Sequence, residues 1–163
     1  MSGMTDTTSK WVFSQGTPAI APDGPNKQAC FHLQDDPNRP GLTRITLPPG
    51  STYTPGPHWH EQYIEHFKVL EGRVLVRLDG YSKIVTATDP SQQVDKFVIH
   101  EFMRADMDAT SDQKDDGDVV IEEWTDPADG TKHVMFRNLF STLEDAEKYW
   151  KSWMMLQALR TCA

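Results

Sequence analysis

Two spacings of apolar residues divide the chain. From about residue 42 to residue 124 they recur in short runs or at every second position, as half-buried strands require; near the C-terminal end they recur at every third or fourth, as a helix face requires. The clearest alternation is Arg73-Val74-Leu75-Val76-Arg77-Leu78, bracketed by the turn-forming pairs Glu71-Gly72 and Asp79-Gly80. Strands are predicted over residues 11–13, 29–33, 42–47, about 63–70, 74–78, 82–87, 96–102 and 119–124. Thr125 to Gly130 reads as a turn leading into a paired strand over 133–136. Ser141-Thr142-Leu143-Glu144 has the form of a capping box, and Ala146, Tyr149, Trp150, Trp153 and Gln157 follow at helical spacing, predicting a helix from about 143 to 159.

Nine of the eleven prolines precede His60, so the first third of the chain is expected to be short strands joined by turns rather than helix. The polar, acidic stretch from Ala105 to Asp118 reads as a mobile loop. Strand and helix do not alternate along the chain. Many strands and one late helix therefore predict a closed or sandwiched antiparallel β-structure rather than a parallel α/β fold.

Composition narrows the partners. At 163 residues the chain has the size of one domain, with 16 basic and 24 acidic residues giving a formal net charge of -8. That balance argues against a non-specific nucleic-acid footprint and against an anionic membrane surface, both of which need basic side chains. The N-terminal segment lacks the apolar stretch of a signal peptide and no run is long enough to span a bilayer, so a cytoplasmic protein is expected. Cys30 and Cys162, far apart and without CxxC spacing, read as unrelated free thiols.

The chemistry concentrates in one segment. In an extended His58-Trp59-His60 both imidazoles point to one face and Trp59 to the other. Glu65 arrives from the start of the next strand, and His100 ends the apolar run Phe97-Val98-Ile99. Imidazole nitrogens and a carboxylate converging on one point suit a divalent transition metal. An HxH pair alone is equally compatible with a surface pair of histidines. His66 faces away from Glu65 in a regular strand and His133 has no donor pattern near it, so both read as structural.

The stretch His58-Trp59-His60, four residues, Glu65, six residues, Gly72, ending in Phe67-Lys-Val-Leu-Glu-Gly72, resembles the first motif of the cupin superfamily. Asp95-Lys-Phe-Val-Ile-His100 occupies the place of the second motif, with His100 at its metal-binding histidine, although the proline and glycine usual before that histidine are absent. The resemblance spans about residues 42–104. It implies an all-β, cupin-type antiparallel β-barrel, or jelly roll, with its core over about 42–136. An N-terminal strand extension and a C-terminal helix complete one domain of residues 1–163. It also implies one divalent metal ion held by His58, His60, Glu65 and His100, and a homodimer joined through N-terminal strands and sheet edges.

Four such ligands leave open positions on a six-coordinate Fe(II), Mn(II) or Ni(II); Zn(II) fits too but brings no redox chemistry. The expected function is therefore a metal-dependent enzyme acting on a small oxygen-bearing organic metabolite, by a dioxygenase-type reaction with the substrate on the metal and Glu65 serving as base. A non-redox lyase, isomerase or cyclase at the same site is the alternative, followed by a non-catalytic small-molecule-binding cupin. Tyr53, Trp59, Tyr63, Phe102 and Met103 are candidates for an apolar pocket, and Arg73, Arg77 and Arg104 for a cation facing a carboxylated substrate; core packing and surface salt bridges are the competing readings. The aromatic and Met side chains of the 143–159 helix would cover the barrel mouth, form a dimer interface or pack on one sheet.

Overall fold

The computed structural model describes residues 18–20, 28–33, 38–107 and 117–139. Nine strands are found there: β1 (Pro18–Ile20), β2 (Gln28–Leu33), β3 (Thr43–Leu47), β4 (Ile64–Glu71), β5 (Arg73–Leu78), β6 (Tyr81–Thr86), β7 (Gln92–Val94), β8 (His100–Arg104) and β9 (Val119–Asp126). They form two antiparallel sheets, a six-stranded one in the order β1-β2-β3-β9-β4-β7 and a three-stranded one in the order β6-β5-β8. No ladder among the described residues joins an edge of one sheet to the other, so the strands are laid out as two packed sheets.

Alternation explains how the sheets pack. In β4, Glu65, Phe67 and Val69 are buried while Ile64, His66 and Lys68 are only partly covered. Phe31, Ile45, Phe67, Val69 and Ile121 from the larger sheet meet Val74, Val76, Val85 and Phe102 from the smaller in one apolar cluster. Burying each such side chain is worth roughly 1.5–3 kcal/mol, which holds the sheets face to face. A one-residue slip in β4 would turn Glu65 out and His66 in, so this cluster also fixes the register of the site.

Gly72 is the whole connection between β4 in one sheet and β5 in the other. Its φ is +75°, and a Cβ there would lie 2.7 Å from Val119 Cγ2 and 2.9 Å from the Asp118 carbonyl oxygen. Only glycine combines that backbone conformation with that clearance. At the other end of β8, Arg104 is fully buried and donates to the Leu47 and Gly117 carbonyls and to Asp106, tying β8, β3 and the start of β9 together.

Two expectations need correction, and two short strands were not foreseen. Residues 133–136 belong to a helical segment, 131–139, not to a strand. Asp129 accepts from the Thr131 N–H (2.9 Å), Gly130 turns the chain at φ +77°, and the buried side chains Lys132, His133 and Phe136 recur with helical, not alternating, period. The strand expected over 96–102 begins only at His100, because a turn from Asp95 to Val98, with Phe97 at φ +66°, occupies its first half. The short strands β1 and β7 went unpredicted, since Pro18-Ala19-Ile20 lies in a proline-rich run and Gln92-Gln93-Val94 carries almost no apolar signal. The expected strand over 11–13, the helix over 143–159 and residues 108–116 of the acidic loop lie outside the described residues; the loop begins with a 3-10 turn, Ala105–Met107.

Candidate metal centre

The HxH segment is pinned to β8 by its backbone. His58 N–H donates to the His100 carbonyl (3.0 Å), His100 N–H returns a bond to the His58 carbonyl (2.8 Å), and Phe97 N–H donates to the His60 carbonyl (2.9 Å). This antiparallel bridge sets His58 beside His100, with ring centroids 4.2 Å apart. Extended geometry then carries His60 to the same side, its ring centroid 5.1 Å from that of His58, and turns Trp59 out, 53% exposed.

Glu65 projects from the opposing sheet into the same space. One donor atom from each of His58, His60, Glu65 and His100 falls within 4.8 Å of all the others. Two of the imidazoles are already oriented. His58 Nδ1–H donates to the Gly56 carbonyl (2.8 Å) and His100 Nδ1–H to the Val98 carbonyl (2.9 Å), which turns each Nε2 toward the cluster. A backbone carbonyl on the far nitrogen is the arrangement that fixes the tautomer of metal-ligating histidines. His100 Nε2 is buried with no hydrogen-bond partner, and the nearest Glu65 oxygen, Oε1, is 3.6 Å away, too far for a hydrogen bond. Burial alone would lower the His100 imidazole, but Glu65 and the Val98 carbonyl hold it above its ordinary value, so Nε2 is a metal ligand once its proton is lost. The donor set and its orientation therefore fit one divalent ion.

Glu65 has further partners that the sequence did not announce. Its Oε2 accepts from His60 Nε2 (2.8 Å) and from Lys132 Nζ (3.0 Å), and Lys132 also reaches Glu123 Oε1 (3.0 Å). Lys132 enters from the first turn of the 131–139 helix, its ammonium 5.8 Å from the Phe136 ring centroid. Glu123 sits on the inward face of β9, opposite Phe67 of β4 and Thr43 of β3. Burial pushes the Glu65 carboxyl up, but the Lys132 charge, helped by His100 and His60, overrides it and holds the group well below the usual carboxylate range. Burial raises Glu123 above its ordinary value. Burial alone would lower Lys132, but the two carboxylates hold it above the usual lysine value. An acid at an inward position of β9 was a readable signal for Glu123. Lys132 gave none, because its segment read as turn and strand.

The expected pocket residues separate. Tyr53 and Phe102 face the interior, ring centroids 6.4 Å apart, with Phe31 edge-on to Tyr53 at 5.6 Å. Burial, then the carboxylates of Glu123 and Glu65, raise the Tyr53 phenol above its ordinary value, so it stays protonated beside them. Trp59 points outward, and Tyr63 donates to Asp129 Oδ2 (3.1 Å) at the surface. Met103 lies in a second small cluster with Leu75 and Ala105, because it alternates with Phe102 and so takes the opposite face of β8. Arg104 faces inward, but four residues, roughly 13 Å, from His100, and its guanidinium is committed to two carbonyls and Asp106. Arg77 pairs with Glu101 (2.9 Å), and Arg73 starts β5 at the end away from His100, which pairs with Leu78 at the other. No arginine therefore faces the cluster among these three. His66 stacks on Trp124 at 5.5 Å, and His133 Nε2 donates to the Leu42 carbonyl (2.9 Å).

At the level of sequence, no family model and no curated protein matches the chain. Solved structures do. A predicted oxalate decarboxylase from Thermotoga maritima superposes with a TM-score of 0.50 at 17% identity, over 69% of this chain and 92% of that one. A cupin superfamily protein from Desulfitobacterium hafniense gives a TM-score of 0.44 at 10% identity, covering 62% of this chain and 79% of that one. The capsular polysaccharide assembling protein CapF of Staphylococcus aureus gives 0.45 at 17% identity; the match takes in 63% of this chain but only 28% of that larger one. Among the described residues no helix is long and apolar enough to cross a membrane. The paired antiparallel sheets, with the four donors held between them, give the chain a cupin-like fold similar to that of the Thermotoga structure.

Proposed function

We propose that this chain is a metal-dependent cupin enzyme acting on a small oxygen-bearing organic metabolite by a dioxygenase-type reaction. The observation that carries the reading is the buried Nε2 of His100, without a hydrogen bond and set among His58, His60 and Glu65 within 4.8 Å. Those four residues would hold Fe(II), Mn(II) or Ni(II), with Zn(II) as the redox-silent option. Such an ion, when bound, supplies Lewis acidity and, for iron, one-electron chemistry with dioxygen.

The chain's own residues do the rest. In this reading Phe31, Tyr53 and Phe102, packed ring against ring in the core, give the site an apolar wall suited to flat, apolar parts of a substrate. The protonated Tyr53 phenol is a hydrogen-bond donor for a substrate oxygen. Glu65 is the proton acceptor of this reading, with Lys132 holding its Oε2 in place. A second reading, a non-redox lyase, isomerase or cyclase, is favoured by the number of proton-bearing groups buried together: Glu65, Glu123 and Lys132, with Tyr53 beside them.

The test uses protein loaded in turn with Fe(II), Mn(II), Ni(II) and Zn(II), and a panel of phenols, enolisable hydroxy-ketones and hydroxy acids as probes. Oxygen consumption coupled to product selects the oxygenase; product under strict anaerobiosis selects the second reading. Glu65→Gln is expected to lower turnover roughly hundredfold or more while changing probe binding only a few-fold. Unchanged turnover would remove Glu65 from the chemistry.

A further inference from the structure

We infer that Lys132 is a resident counter-cation of the site, competing with a divalent metal for Glu65, and that Glu123 is the second anchor that lessens this competition. The inference rests on the metal-binding reading of the four-residue cluster. Its basis is the bridge itself: Lys132 Nζ lies 3.0 Å from Glu65 Oε2 and 3.0 Å from Glu123 Oε1, with all three side chains buried. A lysine is seldom buried without carboxylate partners, and here one of the two partners is also a member of the metal cluster. Whatever positive charge enters the cluster therefore meets an ammonium already seated on its only carboxylate.

The sign of each effect follows from charge alone. Removing the ammonium takes a like charge from beside the incoming dication and leaves Glu65 unshared, so affinity rises. Removing the Glu123 charge leaves the ammonium resting on Glu65 alone, so affinity falls. Damage to packing would act differently, weakening metal binding in both variants. That contrast makes Lys132 distinguishable from a residue that merely supports the wall.

The experiment measures the dissociation constants of Mn(II) and Zn(II) by calorimetry and chelator competition, at one pH, for the full chain and its variants. Lys132→Met, or Lys132→Gln should the first not fold, is expected to bind roughly tenfold tighter or more. Glu123→Gln is expected to bind at least about threefold weaker, and Lys132→Arg, which keeps the charge, to stay within about threefold of wild type. Unchanged or weaker binding on loss of the ammonium, or tighter binding by Glu123→Gln, overturns the role given to Lys132 while the metal site stands. A wild-type chain that binds neither ion overturns the metal site and this inference together.

Discussion

Replacing His100 with leucine is expected to make the metal-free protein slightly more stable while abolishing its response to metal. The wild-type imidazole has one satisfied nitrogen, Nδ1 on the Val98 carbonyl, and one buried nitrogen, Nε2, with no partner. Leaving a buried polar group unsatisfied costs about 1–3 kcal/mol, and the hydrogen bond that leucine gives up is worth about 1 kcal/mol. Val98 is only partly buried, so a freed carbonyl there has access to water. Leucine is close to isosteric and adjoins Phe102 on the same strand face, so the balance favours the variant by roughly 1 kcal/mol. For a chain of 163 residues that corresponds to about 2–4 °C in Tm. Calorimetric melts at pH 8.5, in chelator and with Mn(II) or Zn(II) at about 100 times the dissociation constant, provide the assay. Wild type should gain about 2.7 kcal/mol from the metal and the variant almost nothing. A variant destabilised by more than about 1 kcal/mol in chelator would mean that Nε2 is satisfied in the metal-free fold, and the argument from the orphaned nitrogen would fail.

Two further outcomes follow from local geometry. Gly72→Ala forces a Cβ to within 2.7 Å of Val119 and 2.9 Å of a backbone oxygen at φ +75°, and should cost about 2–4 kcal/mol in denaturant melts; a loss under about 1 kcal/mol would mean that the link between sheets can relax. Asp129→Ala should cost about 1 kcal/mol by uncapping the 131–139 helix. The Thr131 N–H first, then the Tyr63 hydroxyl, hold the Asp129 carboxyl below its ordinary 3.8. Its stabilisation is thus complete above the unfolded-state value and lost as pH falls through the folded one, so the variant's deficit should shrink on acidification toward pH 3. A deficit independent of pH would contradict the capping role.

How much was legible in the sequence depended on whether the cause was local. β5 and β9 were readable because their alternation is a property of adjacent residues, and the turns at Gly72 and Gly80 declare themselves by composition. His58 and His60 were readable as a pair for the same reason. The 131–139 helix was not: its start depends on an Asp129 side chain folding back on Thr131, while apolar residues at 134–136 imitate a strand. Lys132 and Glu123 meet only after the helix has docked on β9, so no spacing rule finds them. The fates of Met103 and Arg104 turned on parity and distance along β8 rather than on residue type: Met103 takes the opposite face, and Arg104 faces inward but far along the strand from His100.

The backbone bridge between His58 and His100 bears on the order in which the molecule assembles. The imidazoles come from two stretches of chain, 58–60 and the start of β8, and Glu65 comes from the opposite sheet, so the full convergent geometry does not exist in a fragment holding the first motif alone. Contacts between distant stretches form late, after loop closure has been met by other interactions. The site should therefore be a marker of complete folding: a peptide of residues 54–72, although it carries three of the four donors, lacks the strand that aims them. Metal affinity then reports on whether the two sheets have met.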